Sequence, residues 1–119
     1  MNRTFWEDTG KFNAWAEKWG IRSTGGSVGE GWVPILDRLV EDLVELGWNL
    51  DLHQVKEKFG GLRFYIGEGD ERMWSRIDEA ETESYETCEN CGAKGSLHGG
   101  GWLMTLCDAC EAERQKEVK

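Results

Sequence analysis

All four cysteines of the chain stand in two C-x-x-C pairs, Cys88 with Cys91 and Cys107 with Cys110, with fifteen residues between the pairs. This is the spacing of a four-thiolate metal site. Tetrahedral Zn2+ takes soft, deprotonated ligands, and a two-residue gap lets one tight turn present two sulfurs at the required angle. Gly92 directly after Cys91 suits such a turn, because glycine takes positive φ and lets main-chain N–H groups point at sulfur. Two disulfides would instead need an oxidising compartment. Residues 1–10, with Arg3, Glu7 and Asp8 and no apolar run, do not read as a secretory signal. A redox C-x-x-C would follow a strand in a βαβ unit. One structural Zn2+ on the four cysteines is therefore expected. A catalytic zinc is not, because four thiolates leave no coordination position for water.

The elements that must carry these ligands can be read around them. Segments 93–97 and 102–106 flank His98-Gly99-Gly100-Gly101, the pattern of a hairpin with a glycine-rich tip. Glu111, Ala112, Glu113, Arg114, Gln115 and Lys116 are strong helix formers. Cys107 and Cys110 would then sit in the first helical turn, where the helix dipole favours thiolates. A turn pair, a hairpin and a helix-borne pair suggest a treble-clef finger, with a zinc ribbon as the alternative. Treble-clef fingers also occur in metal-dependent nucleases, which need a catalytic His and further ligands on the helix. No His or Asn follows Cys110, so His98 reads as an exposed loop residue, His53 has no constellation around it, and no catalytic residue is assigned.

Upstream, Phe12, Trp15, Ala16 and Trp19 recur at helical spacing and Gly20 supplies a C-cap. Residues 21–31, with Gly25, Gly26, Gly29 and Gly31, read as a connector or partner loop. They lack the Lys and Ser/Thr of a phosphate-binding loop. Pro34 opens a helix with a wide apolar stripe, Ile35, Leu36, Leu39, Val40, Leu43, Val44 and Leu46, ended by Gly47. Trp48, Leu50 and Leu52 alternate as a strand, as do Leu62, Phe64 and Ile66, with Gly60-Gly61 as the expected hairpin turn. Val55 and Phe59 fall out of phase with the first strand, so a bulge or strand end is expected at 53–55. Asp70 should cap a helix whose apolar face is Met73, Trp74, Ile77 and Ala80. The fold class is thus α+β, with a small helix-and-hairpin domain over 1–84 and a zinc finger with a C-terminal helix over 85–119.

Seven tryptophans are a heavy load for 119 residues. Trp15, Trp19, Trp48 and Trp74 fall on apolar faces and are expected in the core. Trp6, Trp32 and Trp102 lie beside loops and are candidate partner-binding residues. Lys56, Lys58 and Arg63 cluster on the hairpin beside Phe59, Phe64 and Tyr65, a pattern that can bind single-stranded nucleic acid. The formal charge of -9 and a pI near 4.7 oppose that use, since phosphate binding gains from counterion release to Lys and Arg. Four thiolates and one Zn2+ would move the charge two units further negative. Such acidity serves solubility, or engages a basic protein surface, or mimics nucleic acid. No stretch approaches the length of a membrane span, so a soluble, cytoplasmic protein is expected.

The segments G-W-V-P-I-L-D-R-L at 31–39, V-K-E-K-F-G-G-L-R-F-Y at 55–65, C-E-N-C-G at 88–92 and G-W-L-M-T-L-C-D-A-C at 101–110 are distinctive together. Over residues 29–110 the chain resembles small uncharacterised bacteriophage and prophage zinc-finger proteins. The resemblance implies a phage accessory protein acting in the bacterial cytoplasm and supplies no activity or active site. Taken with the acidity and the closed metal site, it leads to the expectation of a non-enzymatic protein that binds a host protein, as a modulator or inhibitor of host defence. A nucleic-acid-binding or transcription-modulating finger is the alternative.

Overall fold

The computed structural model describes residues 9–23, 26–99 and 102–117. Helix α1 (Thr9–Trp19) ends on Gly20 at φ 73, the left-handed C-cap that glycine permits. Two short strands follow, β1 (Arg22–Ser23) and β2 (Gly26–Ser27), then a 3-10 turn (Glu30–Trp32) that leads into helix α2 (Val33–Glu45) with Pro34 in its first turn. Strands β3 (Asp51–Lys58) and β4 (Gly61–Ile66) form the hairpin, and helix α3 (Glu71–Ser84) starts where Asp70 Oδ1 accepts the Met73 N–H at 3.1 Å. Strands β5 (Ser96–His98) and β6 (Met104–Leu106) and helix α4 (Asp108–Glu117) complete the chain. The architecture is mixed helix and strand with a C-terminal four-cysteine cluster.

The larger sheet is built on β3. Strand β4 pairs with it antiparallel, while β1 and β2 pair with it parallel at Arg22↔Asp51 and Gly26↔Val55. The parallel pairing of β2 with β3 needs a crossover, and α2 supplies it. Residues 21–31 are therefore not merely a connector. They give the sheet two short strands, because the ladder groups of β3 would otherwise be open on that edge.

The hairpin differs from expectation in its strand start and its turn, and meets it in its irregularity. Strand β3 begins at Asp51, so Trp48 and Leu50 precede it, and Leu50 sits at φ 66. The expected irregularity is a register shift between Leu52 and Gln54, after which Val55 returns to the buried face at 0% exposure. The turn is Phe59-Gly60, with φ of 54 and 85, and Gly61 is already the first residue of β4. Two positive φ values make a two-residue turn whose twist matches the strands.

Alternation along β4 buries Leu62, Phe64 and Ile66 and leaves Tyr65 outside. These residues pack with Leu52 and Val55 of β3, Ile35, Leu36, Leu39, Val40 and Leu43 of α2, and Met73 and Ala80 of α3. Asp37 fixes α1 onto this core, accepting the indole N–H of Trp15 at 2.8 Å and of Trp19 at 3.1 Å. Val44 and Trp74 are exceptions to the sequence pattern. They lie at the margins of their helices, 45% and 43% exposed, because one helix face turned toward a single sheet covers less than the full apolar stripe.

Candidate metal centre

The first ligand pair sits in a knuckle just after α3. The Cys88 N–H donates to Ala93 O at 2.7 Å, the Gly92 N–H donates to Cys88 O at 2.9 Å, and Gly92 takes φ 85. The second pair flanks the start of α4, with Cys107 directly before it and Cys110 in its first turn. The Glu111 N–H donates to Cys107 O at 2.9 Å. Between the pairs, β5 and β6 form an antiparallel hairpin in register Ser96↔Leu106, Leu97↔Thr105 and His98↔Met104. The Glu89 N–H donates to Thr105 O at 2.9 Å and so ties the knuckle to β6.

These elements bring the four Sγ atoms within 4.8 Å of one another, and those of Cys91 and Cys107 to 3.6 Å. A metal–sulfur bond of about 2.3 Å puts the corners of a sulfur tetrahedron about 3.8 Å apart, so the cage has the size of a tetrathiolate site. Three N–H donors point at the sulfurs. The Cys91 N–H points at Cys88 Sγ at 3.4 Å, the Cys110 N–H at Cys107 Sγ at 3.5 Å, and Asn90 Nδ2 at Cys110 Sγ at 3.3 Å. Donation from the Cys110 N–H brings the Cys107 thiol down to about 7, while burial pushes Cys110 up to about 12. A cation among four sulfurs would draw off the remaining protons. Cys88 is fully buried and Cys91 exposed, so one wall of the cage faces the protein and another faces solvent.

The buried wall is where residues 29–32 dock. The Gly31 N–H donates to Glu89 O at 2.7 Å, the Gly29 N–H to Glu89 Oε2 at 2.8 Å, and Trp32 Nε1 to Thr87 O at 2.9 Å. A Cβ on Gly29 would overlap the carbonyl of Glu89, and one on Gly31 the carbonyl of Cys88. Both glycines serve close backbone approach to the knuckle. The sequence pointed to this junction only through two glycines spaced by one residue, and their partner was unreadable because it lies some sixty positions downstream.

The other candidate residues separate into distinct environments. Trp32 is 0% exposed and belongs to the core, because its indole is held by the knuckle; it offers no contact surface. Arg63 is committed to an ion pair with Glu81 of α3. Lys56 lies over the Tyr65 ring at 5.8 Å and Lys58 over the Phe59 ring at 5.6 Å. Trp102 is 64% exposed beside them, and Trp6 lies outside the described residues. Phe59, grouped from the sequence with the hairpin's basic residues, is 64% exposed. His98 is not in a loop: it lies in β5, with Nε2 3.2 Å from Leu106 O and Nδ1 3.6 Å from Glu111. His53 stands 3.6 Å from Asp51, far from the cysteines in the chain. Among the described residues no helix is long and apolar enough to cross a membrane.

No family model, no curated protein and no solved structure matches the chain.

Proposed function

We propose that this is a non-enzymatic binding protein whose C-terminal unit is closed around one structural zinc ion held by Cys88, Cys91, Cys107 and Cys110. The observation that carries the reading is the set of four sulfurs within 4.8 Å, with no oxygen or nitrogen ligand among them. An all-thiolate tetrahedron suits zinc or iron, and a closed shell offers a substrate no open position. The order of knuckle, hairpin and ligand-bearing helix supports a treble clef over a ribbon. The metal then serves shape, and function falls to the surface that the shape presents.

The partner is a protein of the bacterial host, in line with the phage resemblance and the net charge of -9, which disfavours polyanions. Elemental analysis of reduced, purified protein should find one zinc per chain. Cobalt substitution should give the spectrum of a tetrahedral tetrathiolate. Iron, or no tightly held metal, would overturn the assignment. Crosslinking in host lysate at physiological salt addresses the second half of the reading, and retention of nucleic acid in place of any protein would sink it.

A further inference from the structure

The turn of the β3–β4 hairpin packs against strands β5 and β6. Thr105 Oγ1 donates to Gly60 O at 2.7 Å across the contact, and Leu97 packs against Gly60 so closely that a Cβ there would overlap it. The seam opens outward into a cleft of about 270 Å³ lined by Glu57, Lys58, Phe59, Trp102 and Leu103. Phe59 and Trp102 are each 64% exposed.

Two features mark this seam, although Lys18 also lies over the Trp19 ring and Leu50 also takes positive φ. The first is charge. Arg38, Arg63, Arg72, Arg76 and Arg114 each meet a carboxylate. Among the described residues no ion pair takes Lys56 or Lys58, which project from the same sheet face and lie over aromatic rings instead. The acid in the cleft, Glu57, turns its Oε2 to the Gly60 N–H at 2.7 Å and so caps the turn. The cleft thus holds two exposed aromatic rings, the Lys58 cation and a carboxylate turned toward the main chain, with Lys56 two residues back along β3. The second feature is strain. Phe59 holds φ 54, a conformation that costs a non-glycine residue about 1 kcal/mol or more, and its ring is not in the core. Asn or Gly would make a better turn. An exposed aromatic held at a strained position marks a candidate contact.

We propose that this seam is the docking surface for a protein segment carrying an aromatic or large aliphatic side chain flanked by carboxylates. The apolar side chain enters between Phe59 and Trp102, and the carboxylates meet Lys56 and Lys58. The cleft offers apolar walls with cations at the rim, the arrangement in which a central anchor supplies affinity and rim charges supply selectivity. A single-stranded nucleic acid could stack on the same rings, but each phosphate would meet the field of a protein at -9. A segment of a neutral or basic protein brings its few carboxylates without that penalty. This proposal deepens the binding-protein reading and rests on it.

The test uses the full-length, metal-loaded protein and labelled twelve-residue peptides read by fluorescence anisotropy. The centre is Trp, Leu or Ser and the flanks are Glu, Ser or Lys, with a twelve-nucleotide oligo(dT) as the nucleic-acid arm. Glu-flanked Trp or Leu peptides should bind at least tenfold tighter than Lys-flanked or Ser-centred ones and tighter than oligo(dT). Lys56→Glu with Lys58→Glu should reverse the charge preference. Phe59→Asn should abolish binding while leaving the melting temperature equal or higher, which separates lost contact from lost fold. Tighter binding of oligo(dT), no preference among the peptides, or binding that survives both variants would overturn the proposal. A host protein that binds wild type and both variants alike would overturn it too, yet leave the broader reading standing.

Discussion

The N-terminal region and the cysteine unit are held together by different physics. Around β3, β4, α2 and α3 a continuous apolar core runs from Phe12 to Ala80, with Trp32, Leu36, Leu39, Val40, Leu43 and Val55 at 0% exposure. In the cysteine unit the buried cluster is Cys88, Met104 and Leu106. A fully buried apolar side chain contributes about 1.5–3 kcal/mol, so that cluster supplies only a few kcal/mol against the chain entropy of some thirty residues. A structural zinc site is worth about 10–16 kcal/mol, which exceeds it clearly. With the proposed zinc bound, one region folds by what it excludes from water and the other by what it ligates. Gly29, Gly31 and Trp32 are where the two are made to agree.

Metal removal should break the comparison most visibly. Chelation under reducing conditions, or Cys88→Ser, should forfeit stabilisation on the order of 10 kcal/mol in the cysteine unit. Amide resonances of residues 87–117 should then collapse to coil positions, while Leu39, Val40 and Val55 keep slow hydrogen exchange. If those core amides lost protection as well, the two regions would be one cooperative unit and the contrast would fail. Gly31→Ala is next. Its Cβ would run into the Cys88 carbonyl and the Gly92 N–H, backbone atoms that cannot step aside, so we expect a loss of about 3 kcal/mol in urea unfolding with weakened metal retention. Gly47→Ala is the control: φ there is +101 but nothing lies within 4 Å, so only the backbone penalty of about 1 kcal/mol applies.

The same contrast explains what could be read from the sequence. Each C-x-x-C pair, the Asp70 cap, the Gly20 and Gly92 conformations and the α2 stripe were legible because each is local: the residues that interact lie within about one turn of one another, and only the repetition of the pair links the two halves of the cysteine cluster. The strand positions at Arg22–Ser23 and Gly26–Ser27 were not, because a two-residue strand has no periodicity and exists only through its partner. Trp32 looked like a surface residue because it borders a glycine-rich stretch, and its true partner, Thr87 O, is distant in sequence. Phe59 was misplaced within the turn because Gly60-Gly61 offered cheaper positive φ, and local propensity lost to hairpin register.

Asp37→Ala probes the apolar region alone. It removes the shared acceptor of Trp15 Nε1 and Trp19 Nε1, the first on a 6%-exposed indole. Hydrogen bonds to a charged acceptor contribute about 1.5–3 kcal/mol, so a drop of about 2 kcal/mol in urea unfolding is expected. Metal retention should not change, because the bonds that Asp37 makes run to Trp15 and Trp19 of α1. A shift in metal affinity would mean that α1 reaches the cage through the core.

Thr105→Val is the smallest change and the most direct probe of the seam. Thr105 is 0% exposed, and its Oγ1 is the donor to Gly60 O at 2.7 Å, so the near-isosteric valine keeps the volume and strands one carbonyl. The expected cost is about 1 kcal/mol. Its main-chain carbonyl, which accepts the Glu89 N–H, is untouched, so the knuckle should keep its geometry. Combined with Gly31→Ala, the substitution closes a double-mutant cycle across two of the contacts that join the regions. Additive costs would mean that each contact acts separately on two independently held units. A coupling above about 0.5 kcal/mol would mean that loosening one contact already frees the other, so that the cysteine unit docks as a rigid body against the hairpin and the glycines together.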